Sequence, residues 1–299
     1  MKETRVISLS HLNSGDAAAA QPATTAARWE VVASIQTDVG CVREANEDSG
    51  RHVKPNDPAL FATKGTLTIV CDGMGGHASG EVASQMTVDL VSRLYYQDAR
   101  GSTESLRHAV EEANRRVYAA SVEDERLHGM GTTCTALALH NGTAFAAHVG
   151  DSRLYMVRGG EIYLMTEDHS AVMEMVKMGI ISMEDARHHP DKNVILRALG
   201  TAPEVEVSTW ESPLAVEQGD QYILCSDGLY DLVEDAEIRQ AALSAADPHA
   251  ACEQLIALAK SRGGHDNITV GIISVRPAGG DGDDAQKELR ITRELEAVR

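Results

Sequence analysis

TLTIVCDGMGG, residues 66–76, decides how the rest of the chain is read. Thr, Ile and Val are stiff about χ1 and suit a pleated surface, so the run up to Cys71 predicts a buried strand. Asp72 closes that strand, and the glycines after it are turn punctuation. A carboxylate in this position is aimed by a rigid sheet while its head group emerges at the sheet's edge. The glycines do not form a nucleotide loop, because the Lys-Ser/Thr of a P-loop and the GxGxxG spacing are both missing. Gly73 suits a cation better, since no Cβ stands between its backbone carbonyl and an ion.

The same arrangement recurs. Asp151 follows AAHVG (146–150), Asp227 follows YILCS (222–226), and Asp266 directly precedes NITVGIISV (267–275). Any one of these aspartates alone reads as a turn or cap residue; their repetition at strand ends does not. Clustered carboxylates raise one another's pKa values unless a cation neutralises them. Oxygen-only donors select hard ions such as Mg²⁺, Mn²⁺ or Ca²⁺, and no H-E-x-x-H spacing competes. Upstream, TDVGCVREANEDS (37–49) places Arg43 just before the acidic pair Glu47–Asp48. Arg offers a planar fork to phosphate oxygens and an acid nearby can complete a metal shell, although the segment by itself also reads as an exposed turn with an Arg–Glu ion pair.

Working outward, further strands are expected at WEVVASIQT (29–37), TTCTALALH (132–140), TAFAAHVG (143–150), RLYMVR (153–158), VEVSTWE (205–211), QYILCS (221–226) and NITVGIISV (267–275). Asn141-Gly142 and Gly159-Gly160 mark hairpins, whose tight turns need positive φ. Helical periodicity fits 80–96, with Val82, Met86, Leu90, Val91 and Leu94 on one side, and also 103–125, 236–245 and 249–262. Hairpin-linked strands with separate helices predict an α+β domain of antiparallel sheets with helices packed outside. Residues 1–28, rich in Ala, Thr, Ser and Gln, read as a flexible leader, and 29–276 as the folded domain. Residues 277–299 read as a Pro/Gly/Asp linker and a frayed, charged tail.

A formal net charge of -18 disfavours nucleic acid and anionic membrane surfaces as partners. No apolar run reaches the roughly 18 residues of a membrane span, and no secretory h-region is present, so the expected location is the cytoplasm. Cys41, Cys71, Cys134, Cys225 and Cys252 stand singly, which fits a reducing compartment and argues against disulfides or a zinc site.

Taken in order, TDVGCVREANEDS, VCDGMGGHASGEVAS, GMGTTCTALAL, AHVGDSRLYMVR, LMTEDHS, NVILRALG, YILCSDGLYDLV and GGHDNITV resemble the PPM family of metal-dependent protein phosphatases, the type 2C serine/threonine phosphatases, in its short bacterial form. The match runs from Thr37 to Val270. The resemblance implies a central antiparallel β-sandwich flanked by helices on both sides, a four-layer αββα arrangement, with Mn²⁺ or Mg²⁺ at one end: two core ions and a third. It implies that Asp72 bridges the core pair, helped by the Gly73 carbonyl, Asp227 and Asp266, with Glu47 serving the second ion. Asp151 and Asp231, with Asp227, would hold the third, Asp231 being the weakest carry-over. Arg43 would bind the substrate phosphate. The implied reaction is hydrolysis of phosphoserine and phosphothreonine in proteins by a metal-bridged water, without a phosphoenzyme, reversing a cognate serine/threonine kinase. A monomer is the default state.

The chain departs from some members in carrying Met74 where they have a His proposed as general acid; a thioether donates no proton. His77, His148 and His169 lie near motifs and read as structural. Residues 167–199 resemble the family's variable flap, with a helix broken at Gly179 and restarted. Two alternatives stay open: a catalytically dead binding module, which the full set of carboxylates argues against, and a hydrolase of small phosphomonoesters.

Overall fold

The period-two burial of Gln221–Cys225 shows how the domain is layered. Tyr222 and Leu224 point into one apolar layer, and Ile223 and Cys225 into another. A strand buried on both faces belongs to the middle of a sandwich. The computed structural model describes residues 5–6, 29–75, 79–210 and 212–277.

Two sheets form the sandwich. The first runs β1 (Arg5–Val6), β10 (Glu161–Leu164), β9 (Arg153–Arg158), β13 (Gln221–Cys225), β14 (Ile268–Pro277) and β2 (Trp29–Asp38). The second runs β11 (Ser208–Thr209), β8 (Thr143–Val149), β7 (Cys134–His140), β4 (Thr66–Cys71) and β3 (Ser49–Val53), with β12 (Leu214–Ala215) also on β8. A separate two-stranded pair joins β5 (Gly73–Met74) to β6 (Gly131–Thr132). All these pairings are antiparallel except β1 with β10.

Between the sheets lie Val70, Leu137, Leu154, Met156, Tyr222 and Ile273, all at most 1% exposed. Each such side chain contributes roughly 1.5–3 kcal/mol of burial. Helices Ser79–Gln97 and Ser102–Glu123 cover the second sheet through Val88, Val91, Leu106 and Val110. Helices Asp235–Ser244 and Pro248–Ser261 cover the first through Ile238, Cys252 and Leu255. The expected α+β sandwich with helices on both outer faces is therefore the fold. Asn141 and Gly142 both have positive φ, 49° and 73°, as the primed hairpin turn between β7 and β8 requires.

Some expectations change. VEVSTWE narrows to the two residues of β11, because only Ser208 and Thr209 find partners on β8, at His148 and Ala147. The flap resolves into helices Ala171–Lys177 and Met183–Arg187, broken at Gly179 with φ +70°. Strand β3 and helices Pro58–Lys64 and Asp227–Tyr230 were not anticipated. Within the expected leader, Arg5–Val6 pairs with Tyr163 and Leu164, using the free backbone groups of an edge strand. The rest of the leader, the tail beyond Pro277 and His77 lie outside the described residues.

Register brings the strand ends to one rim. Cys71 pairs with Ser49, Cys134 with Val149, Cys225 with both Arg153 and Val270, and Ile268 with Asp38. Asp72, Asp151, Asp227, Asp266 and Glu47 lie just beyond these ends.

Candidate active site

Asp72 leaves the sheet with its main chain fully engaged. Its N–H donates to Thr133 Oγ1 at 2.8 Å, and its carbonyl accepts from Thr133 N–H and Thr132 Oγ1, both at 2.9 Å. Thr133 Oγ1 also shares a 2.7 Å hydrogen bond with Ser152, next to Asp151. The TT of GMGTTC thus sets both aspartates, a positioning role not read from the sequence.

Gly73 is a steric necessity. A Cβ there would lie 2.3 Å from the Gly80 carbonyl oxygen and 2.4 Å from that of Glu47. The strand, the Glu47 loop and the start of helix Ser79–Gln97 meet at this point. Glu47 is fixed from both sides: its N–H donates to Asn267 Oδ1 at 2.8 Å, and its carbonyl accepts from Ser84 Oγ at 2.6 Å. Asn267 also donates to the carbonyls of Val39 and Ala45, so one buried amide pins the whole Arg43-bearing loop. Burial raises the Glu47 pKa, against the lowering influence of Arg43. Arg43 is half-exposed and donates to Asp266 Oδ2 at 2.7 Å.

The aspartates are close enough to perturb one another. Burial, then the charges of Asp48, Asp227, Asp151 and Asp266, push Asp72 well above the ordinary carboxylate range. Burial, then Asp151, Asp266 and Asp231, do the same to Asp227. Asp151 is pushed up to about 7 by burial first and then by Asp168, with Arg153 opposing. Asp48, read earlier only as half of an acidic pair, is buried and accepts from Ser226 Oγ at 2.7 Å, joining the two sheets at the rim. Burial raises its pKa to about 6.

Asp231 stands at the outer edge, where Lys192 of the flap forms an ion pair with it. Its charge contributes to the raised pKa values of both Asp151 and Asp227. Among the described residues, no three His, Cys, Asp or Glu side chains converge as a ready-made coordination shell. Asp266 and Asp231 are turned instead to cations of the chain itself, Arg43 and Lys192.

The donor set nevertheless fits hard cations. Asp151 Oδ1 and Asp227 Oδ1 are buried and accept no hydrogen bond. A buried anionic oxygen without a donor is costly unless positive charge reaches it. Met74 sits on β5 beside this rim and has no proton to give. His148 and His169 face each other with ring centroids 4.8 Å apart and are held to Thr135, the Glu167 carbonyl, Gly150 and Ser208. Burial lowers their pKa values to about 4 and about 3, so both are neutral and structural.

Residues 46–258 match the family described as Protein phosphatase 2C. The serine/threonine phosphatase stp of Listeria innocua is 38% identical over 243 residues, covering 80% of this chain and 93% of its own. The Mycobacterium tuberculosis serine/threonine phosphatase PstP/Ppp superimposes with a TM-score of 0.73 at 35% identity, over 82% of this chain and 99% of that one. A PstP catalytic domain solved in complex with 2 manganese ions gives 0.71 at 35% identity, over 83% of this chain and 100% of that one. With the sandwich, the carboxylate rim and these likenesses in agreement, the chain belongs to the protein phosphatase 2C family of serine/threonine protein phosphatases.

Proposed function

We propose that this enzyme removes phosphate from phosphoserine and phosphothreonine in proteins with the aid of Mn²⁺ or Mg²⁺ held at the carboxylate rim. The observation that carries the cation reading is the pair of buried, donorless oxygens on Asp151 and Asp227. Asp72, Asp227 and Asp266, with the Gly73 carbonyl, would hold the two core ions, with Glu47 at the second. Asp151, Asp227 and Asp231 would hold a third. When bound, such ions supply a water acidic enough to attack phosphorus near neutral pH and neutralise charge on the phosphoryl oxygens, so that no phosphoenzyme is needed.

The chain's own contribution is orientation. Thr132 and Thr133 fix Asp72, and Asn267 fixes the loop that carries Arg43. Arg43, the exposed guanidinium of the rim, binds the substrate phosphate through paired N–H groups. Met74 holds no proton and His148 and His169 are already committed, so the proton for the leaving Ser or Thr oxygen would come from water at the cations or from another residue. No described helix is long and apolar enough to cross a membrane. We infer a monomeric cytoplasmic enzyme opposing a cognate serine/threonine kinase.

Purified protein should release phosphate from a phosphothreonine peptide with Mn²⁺ and lose that activity in EDTA. Failure on phosphopeptides and aryl phosphates alike overturns the enzymatic reading. Turnover of aryl phosphates alone overturns the protein-substrate reading.

A further inference from the structure

Tyr230 lies between Asp227 and Asp231 on one short helix, and both ends of its side chain are engaged. Its hydroxyl donates to the Asp151 carbonyl at 3.1 Å. Its ring stacks against Arg153, whose guanidinium carbon is 3.8 Å from the ring centroid. Arg153 is itself buried and donates to buried Asp168 in a bidentate grip at 2.7–3.1 Å. It also donates to the Tyr155 hydroxyl, which in turn donates to Asp235. The surface beneath the tyrosine ring is therefore a buried, ion-paired cation, and a desolvated cation–π contact of this kind is strong enough to orient a ring.

Asp151 needs such an anchor. Its Oδ1 has no hydrogen bond, and the acidic side chains of Asp168 and Asp231 repel it. The preceding peptide is gripped by His169, whose N–H donates to the Gly150 carbonyl at 2.8 Å and whose Nδ1 accepts the Gly150 N–H at 3.1 Å. On the following carbonyl, the hold comes from Tyr230.

We propose that Tyr230 is a positioning residue for the outer cation: its hydroxyl, steadied from below by the Arg153–Asp168 pair, fixes the Asp151 main chain so that the carboxylate stays aimed at the Asp227 side of the rim. This rests on the reading of Asp151 as a cation ligand. It assigns a catalytic-site task to a residue that otherwise passes for core packing.

The test uses the full-length, cation-stripped protein. Mn²⁺ is titrated calorimetrically into the wild type, Tyr230→Phe, Tyr230→Leu and Asp151→Asn, with melting temperatures and phosphopeptide kinetics measured alongside. Tyr230→Phe keeps the ring and its stacking and removes only the O–H donor. Loss of one hydrogen bond predicts about five- to tenfold weaker binding at the weakest Mn²⁺ site. The melting temperature should fall by only about 2–4 °C, the worth of one hydrogen bond, and the peptide KM should match the wild type at saturating Mn²⁺. Tyr230→Leu, which also strips the cover from Arg153, should weaken Mn²⁺ binding further and lower the melting temperature. If Asp151→Asn weakens Mn²⁺ binding and Tyr230→Phe does not, the positioning role is overturned while the cation reading stands. If neither variant changes the titration, both fall. A Tyr230→Phe protein that melts well below the wild type marks a packing role and also overturns the proposal.

Discussion

Replacing Asp151 with Asn should make the cation-free protein more stable in mildly alkaline buffer and flatten its dependence on pH. The magnitude follows from the rim. Asp151 ionises at its ordinary 3.8 in the unfolded chain but holds its proton up to about 7 in the fold, chiefly because it is buried. Between those values the folded protein binds more protons than the unfolded one, so stability is lost as pH rises through the window, and the full cost is reached above it. The rise from 3.8 to about 7 corresponds to about 4 kcal/mol, more than half of which falls between about pH 5 and pH 8. Asn keeps the shape and carries no charge, so this component vanishes. Urea denaturation in EDTA across that range should show the wild type losing about 2–3 kcal/mol more than the variant. Mn²⁺ added at the alkaline end should stabilise both proteins through the core carboxylates and the wild type further, because only it presents a charged side chain at position 151. Parallel pH curves for the two proteins would refute the electrostatic account of the rim.

Asp72→Asn should abolish phosphopeptide turnover while leaving the cation-free melting temperature equal or higher; retained turnover would remove Asp72 from the central role. Gly73→Ala forces a Cβ into two carbonyl oxygens at 2.3 and 2.4 Å, neither on a flexible side chain. The backbone must give by about an ångström, and kcat/KM should fall about a hundredfold; a variant with wild-type kinetics would mean the junction of Glu47 and Gly80 is softer than its packing implies. Lys192→Gln frees Asp231 from a solvent-exposed ion pair, so the weakest Mn²⁺ site should tighten a few-fold. Direct Mn²⁺ titration decides this, and unchanged binding would separate Asp231 from the cations.

The layers and the rim were legible because they follow from local pattern. Alternation such as that of Tyr222, Ile223, Leu224 and Cys225 requires two covered faces, and a carboxylate that ends such a run can only emerge at the edge. Gly179 announced the flap's break through the positive φ it adopts. Strand β3 was not legible, since SGRHV has little apolar alternation and is held by backbone pairing to β4. Helix Pro58–Lys64 carries its own signals in the sequence, the Asp57 cap and Pro58 at its first turn. What no local pattern could disclose are partnerships between residues far apart in sequence. Arg43 with Asp266, Asp48 with Ser226, Lys192 with Asp231 and Tyr230 with Asp151 are settled only once the sheets are stacked. Asp231 is the clearest case: only the family resemblance implied a ligand there, while its contact with the flap lysine exists only in three dimensions.

The pairing of Trp29 with Pro277, at one end of the β2–β14 ladder whose other end is Asp38 with Ile268, has a mechanical consequence. The two strands are antiparallel, so the chain enters at Trp29 and leaves at Pro277 from the same pole, opposite the carboxylates and about 30 Å away along ten residues of strand. Tension applied at residues 29 and 277 would load this pair in the unzipping direction, opening one rung at a time from Trp29 inward instead of shearing all rungs together. The last rung to open would be Asp38 with Ile268, so the carboxylate rim sits at the end of the ladder that such a pull reaches last.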